Sequence, residues 1–184
     1  MASESVCDVT PLLSEYLMNG VHQDRLQLTG SAMEAAQLQF TFALESYGVS
    51  PEDEGGFHLT APTVFRMAGQ ALVAHVHWLA GFQKKAVEVW VRDHQMRHVR
   101  PSRDAQHIPV KLSLRQAGPG ARNPHMLKVV YQAEVDNGAV LGQTVSYADF
   151  SSQPDRMAHI RSKLVDHGLW VDPSTQAVMD EKAA

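Results

Sequence analysis

Residues 61–82 read APTVFRMAGQALVAHVHWLAGF, a run apolar enough for a buried helix that nonetheless holds Arg66, Gln70, His75 and His77. Thr60 suits the N-cap, Pro62 the first turn and Gly81 the C-terminal stop, so the spacing predicts one long helix. At roughly 100° per residue, positions 66, 70, 73 and 77 fall on one stripe, which places Arg66, Gln70 and His77 on a common face. Thr63, Gly69, Ala74, Ala80 and Gly81 flank that stripe, while Val64, Phe65, Ala68, Leu72, Val76, Trp78 and Leu79 lie largely opposite. The bulky face suits a concave sheet; the small, polar one lets another backbone or a slender ligand approach closely. An exposed face would carry Glu, Lys and Gln instead, so a semi-buried subunit seam or ligand channel is expected along the stripe. His75 points nearly opposite His77 and is expected to be a core histidine with its hydrogen bonds satisfied.

Working outward, AQLQFTFALESYGV before the helix alternates around Leu38, Phe40 and Phe42, the period of a half-buried strand. Between them SPEDEGG is an acidic, glycine-rich loop. Four strand candidates follow the helix: KAVEVWVRDHQMRHV, HIPVKLSLRQ, HMLKVVYQAEV and AVLGQTVSYADF. Turn signals separate them at Pro101 to Asp104, at AGPGARNP and at Asp136-Asn137-Gly138, the last a strong hairpin signal. QPDRMAHIRSKLVDHG reads as a closing amphipathic helix, DPSTQAVMDEKAA as a polar tail and DVTPLLSEYLMNG as a short N-terminal helix. The expected organisation is a single domain over residues 1–184, with residues 1–30 a helical extension and residues 151–184 a helix and tail.

Strand, long apolar helix and four meandering antiparallel strands make an α+β domain in which a curved sheet wraps the helix on one side. The chain offers no second layer of comparable size, so a second copy is expected to cover the other side. This is the pattern of a hot-dog fold and predicts a homodimer or a higher assembly.

The composition narrows the partners. With 184 residues, 44% of them apolar and 20% charged, the chain can bury a core without staples. The single cysteine, Cys7, excludes a disulfide framework or a thiolate metal site within the chain and points to a reducing setting. MASESVCDVTPLLSEYL lacks the basic and apolar regions of a signal peptide, and no run of about 18 uninterrupted apolar residues exists, so a soluble, cytoplasmic protein is expected. A formal charge of −4 gives no electrostatic reason to propose nucleic acid or an anionic membrane. Arg92, Arg97, Arg100 and Arg103 form one local basic cluster, read either as a solvated face or as a contact for the phosphates of an acidic cofactor or carrier. Ten histidines do not make a metal site: His75 and His77 are two apart on a helix, and His94 and His98 would stand about 13 Å apart on a strand. Neither a metal nor a resident cofactor is expected.

FTFALESYGV, ending near Tyr47, then GGFHLTAPTVFRMAGQ and RHVRPSRDAQHIPVKLSLR, together resemble the FcoT-like group of hot-dog acyl-CoA thioesterases over about residues 33–150. The resemblance implies hydrolysis assisted by a tyrosine at the end of the first strand, matched by Tyr47, and an asparagine in the central helix. The asparagine's place falls on Gly69, with Gln70 the adjacent amide. Hot-dog dehydratases acting on carrier-bound hydroxyacyl thioesters are also similar: His58 and Gln70 match their histidine and glutamine, but Arg66 stands where they have an acid. Arginine cannot act as a general base, so that route needs Glu52, Asp53 or Glu54 instead.

No Gly-x-Ser-x-Gly elbow is present, which leaves direct attack by water on the thioester. Backbone N–H groups near His58 to Thr63, at the positive end of the helix, would hold the thioester oxygen. Tyr47, His58 and Gln70 are the candidate catalytic residues, with Arg66, Gly69, His77, Gly56 and Phe57 candidates for substrate binding. Each has a structural alternative: Tyr47 as the last core residue of its strand, His58 as a loop residue, Gln70 as a seam hydrogen-bonding group. The expected partner is an acyl thioester of coenzyme A or of a phosphopantetheinyl carrier protein. Thioester hydrolysis leads the readings; hydration, dehydration or amine addition on a carrier-tethered enoyl thioester and a non-catalytic acyl-binding dimer stand as alternatives.

Overall fold

The structure is a computed structural model that describes Thr10 and residues 24–46, 57 and 59–172. The expected N-terminal helix apart from Thr10, the acidic loop and the polar tail beyond Asp172 lie outside the described residues.

Six strands and two helices follow in order: β1 (Arg25–Met33), β2 (Gln37–Ser46), α1 (Ala61–Leu79), β3 (Val89–His98), β4 (Ile108–Pro119), β5 (Met126–Val135), β6 (Val140–Asp149) and α2 (Pro154–Val165). The strands form one antiparallel sheet in the order β1-β2-β4-β5-β6-β3. This α+β arrangement fits the hot-dog architecture. In β2 the alternation works as read: Leu38, Phe40, Phe42 and Leu44 are buried while Gln39 is exposed. Ile108, Val110, Leu112 and Leu114 of β4 and Leu127, Val129, Tyr131 and Ala133 of β5 continue the same core.

Two expectations are corrected. Residues 25–30, assigned to a helical extension, form the first part of β1, which pairs with β2 from Arg25↔Ser46 to Met33↔Leu38. The four strands after the helix are not one meander either. Only β4, β5 and β6 run side by side; β3 pairs with β6 at the far edge, with Val91↔Ser146 and His94↔Thr144 in register. Alternation shows which face of a strand is buried, not which strand lies beside it. The chain therefore crosses the sheet through α1 and returns through residues 99–107. That return is held by Leu44 N–H on Ala105 O (2.8 Å) and Leu59 N–H on Ser102 O (3.1 Å).

The hairpin between β5 and β6 turns through three consecutive positive φ values, 47° at Asp136, 50° at Asn137 and 84° at Gly138. Arg100 clamps it, donating to Asp136 O at 2.8 Å. α1 starts at Thr60, whose extended backbone accepts the first helical bond from Val64 N–H at 3.0 Å. It ends in a left-handed Gly81, φ +71°, with Gly81 N–H on Trp78 O and Phe82 N–H on His77 O, both 3.0 Å. This paired closure satisfies two terminal carbonyls and needs the glycine's freedom. Among the described residues no helix is long and apolar enough to cross a membrane.

Candidate functional site

The polar stripe of α1 begins where the helix meets the strand leading out of residue 24. Thr63 donates to the Asp24 carboxylate and shares a hydrogen bond with Thr60 (2.9 Å), while Arg66 donates to Asp24 O at 2.8 Å. Asp24 thus brings a carboxylate to a helix end whose first turn holds no acidic residue. One turn on, Gln70 is fully buried, and Arg66 is only 6% exposed. Gly69 is buried beside them. Thr63, Arg66, Gly69 and Gln70 are thus all buried along the stripe.

At its other end the stripe holds His77, 0% exposed. Its Nδ1 lies 2.7 Å from Val73 O, and Val87 N–H donates to Nε2 at 3.2 Å. A carbonyl only accepts, so the proton sits on Nδ1 and the bare Nε2 receives the Val87 amide. Burial lowers the pKa, which keeps the ring neutral. With both nitrogens committed, His77 fastens the end of α1 to the segment entering β3. The structure thus places it about two turns beyond Gln70 on the same helix.

His75 faces the sheet. Its Nε2 donates to Glu34 O and its Nδ1 accepts the Tyr131 hydroxyl, each at 2.7 Å, the tautomer again set by the carbonyl. Trp78 stacks on the ring at 5.8 Å, and Lys163 of α2 sits 4.7 Å over Trp78. Desolvation above all pushes the His75 pKa down to about 4, and it raises that of Tyr131.

A further polar group escaped the sequence reading. His94 of β3 shares a hydrogen bond with Thr144 (2.7 Å), and the edge of Phe65 meets its ring at 4.7 Å. Its Nε2 is buried without a partner, and burial lowers its pKa. Asp24 was missed because nothing near it in the chain marks it; only the fold, which sets residue 24 against Thr63 and Arg66, makes it a neighbour. His94 was visible only as half of a rejected metal pair.

Among the other sequence candidates, Phe57 is buried in the core beside Leu59, just ahead of α1. Tyr47, Gly56 and His58 lie outside the described residues, as do Glu52, Asp53 and Glu54. Two arginines of the cluster are engaged separately: Arg100 is spent on the β5–β6 hairpin, and Arg92 donates to the Tyr147 hydroxyl at 3.2 Å on β6.

No protein-family model matches the chain, and no curated protein sequence matches it. Solved structures do. A thioesterase from Haemophilus influenzae is 11% identical, covering 80% of this chain and 94% of its own, at a TM-score of 0.49. A conserved protein of Pseudomonas aeruginosa is 14% identical, covering 78% of this chain and 99% of its own, also at 0.49. A hypothetical thioesterase from Streptococcus pneumoniae, in a structure with coenzyme A, is 7% identical, covering 67% of this chain and 85% of its own, at 0.41. Likeness at this level does not carry residue roles.

Proposed function

We propose that the protein is a homodimeric hot-dog thioesterase that hydrolyses an acyl thioester of coenzyme A or of a phosphopantetheinyl carrier protein. The observation that carries this reading is the first half of α1: a helix N-terminus with no acid in its first turn, followed by buried Arg66, Gly69 and Gln70. Leu59 N–H is taken by Ser102, Pro62 has none and Val64 N–H closes the first helical bond. The amides of Ala61 and Thr63 are then the natural donors to the oxygen that becomes negative when water adds. Gln70 orients the attacking water, Tyr47 and His58 move its proton, and Asp24 joins the acidic loop as a source of the base. Water's oxygen bonds to the carbonyl carbon, the carbon–sulfur bond breaks, and the departing sulfur takes up a proton to leave as thiol. Gly69 is assigned to the approach of the acyl group. β3 is an edge strand, and the second copy is proposed to join along it and α1.

Incubation with acylated coenzyme A and acylated carrier proteins, followed by thiol titration and intact-mass spectrometry, tests this reading. Hydrolysis releases free thiol. A thioester left intact with its acyl mass changed by water or an amine means enoyl chemistry instead, and binding without change means an acyl-binding protein.

A further inference from the structure

The face of the sheet turned away from α1 carries a cavity of about 680 Å³ that the thioester reading does not use. Its walls come from the start of β3, the end of β6 and the loop between β4 and β5. Trp90 is 43% exposed and Tyr147 is partly so, each alternating with core-facing neighbours, which fixes them on the outer face. Their rings pair across the two strands, 6.5 Å between centroids and 22° between planes. The register of β3 on β6 shifts between Val91 and Asp93, a bulge of the kind that re-aims a side chain. Arg92 stands in that bulge, lines the cavity and donates to the Tyr147 hydroxyl. Its other engagement is an ion pair with Asp93 at 3.3 Å, both side chains well exposed, a contact worth little in water.

The loop completes the lining with Arg122 and Asn123. Asn123 Oδ1 already accepts His125 N–H at 2.9 Å, so its amide nitrogen is what remains to offer. Among the described residues no acidic side chain lines the cavity, the Asp93 carboxylate standing beside Arg92. The polar groups around it are thus two guanidiniums, the Tyr147 hydroxyl and an amide donor beside a pair of aromatic rings, in a volume of the size that small-ligand sites use.

We propose that this cavity is a nucleoside-diphosphate site, with the base laid on the Trp90–Tyr147 surface and the diphosphate held by Arg92 and Arg122. A flat ring alone would not call for two guanidiniums, nor would an inorganic anion call for an exposed tryptophan. The shared chemistry is found both in free ADP and in the nucleotide end of coenzyme A. The site rests on no assumption about thioester hydrolysis.

Calorimetric titration of the full chain with ADP, adenosine, inorganic pyrophosphate and coenzyme A tests the proposal. ADP should bind more tightly than about 1 mM, with adenosine and pyrophosphate each at least about tenfold weaker. Arg122→Gln and Trp90→Leu, both at exposed positions, should each weaken ADP about tenfold while leaving the thermal unfolding midpoint in place. Coenzyme A binding that weakens in Arg122→Gln and Trp90→Leu as ADP binding does identifies it as the source, whereas ADP binding alone identifies a free nucleotide. Failure of both to bind, equal binding of pyrophosphate and ADP, or affinity unchanged in both variants would overturn the assignment.

Discussion

Acidifying the protein from neutral pH should destabilise it through His75. The ring is fully buried, its pKa falls from 6.5 to about 4, and the hydrogen bond that its Nδ1 accepts from Tyr131 requires the neutral form. The unfolded chain takes up a proton near pH 6.5 while the folded chain resists until about pH 4, so stability is complete above the unfolded pKa and drains away as pH falls through that window. For these two values the loss from this residue is about 2 kcal/mol at pH 5 and about 3 kcal/mol at pH 4. Urea unfolding at a series of pH values measures it. Because burial also lowers the pKa of His77 and His94, the comparison must be with His75→Gln, which keeps a donor and an acceptor but does not titrate. The variant should be less stable at neutral pH and lose less on acidification, the two curves converging as pH falls. Parallel curves would refute the claim that His75 is held neutral.

Other outcomes follow from particular contacts. Tyr131→Phe should leave His75 Nδ1 buried without its donor and cost about 1–3 kcal/mol in urea unfolding. His77→Leu strands the buried Val87 amide and should cost a similar amount; a variant as stable as the parent with only substrate binding weakened would contradict the structural role given to His77. A Cβ at Gly118 would run into Val171 O, where Val171 N–H pairs back to Ala117 O at 2.8 Å. Gly118→Ala should therefore detach the segment after α2, read as faster amide exchange at Ala117 and Val171 and a lowered unfolding midpoint.

Much of the architecture was legible because α1 and the strands differ in period and carry clear punctuation at Thr60, Pro62, Gly81 and Asn137-Gly138. β1 was not. Only Leu26 and Leu28 alternate before Gly30, and its register on β2 shifts at both Arg25/Leu26 and Leu28/Gly30, so the period of two never establishes itself. The stripe of α1 was legible as a stripe, but the depth of its burial was not. A helical wheel ranks faces against each other, but in a helix with nearly every residue buried it cannot say what covers each one. His77 illustrates the limit: its partners, Val73 O and Val87 N–H, are backbone groups that no side-chain pattern announces. Asp24 at the helix entrance and the orphaned nitrogen of His94 depend on tertiary crossings alone.

The central claim is that water attacks an acyl thioester at the first half of α1, with Gln70 positioning it. Thiol release from acyl-coenzyme A and acyl-carrier substrates, by the parent and by Gln70→Ala and Tyr47→Phe, tests it most directly. The account predicts thiol release by the parent and a loss of about 10²-fold in each variant, in line with the removal of a single positioning or proton-transferring group. No thiol release from any substrate, or release unchanged in both variants, would contradict it.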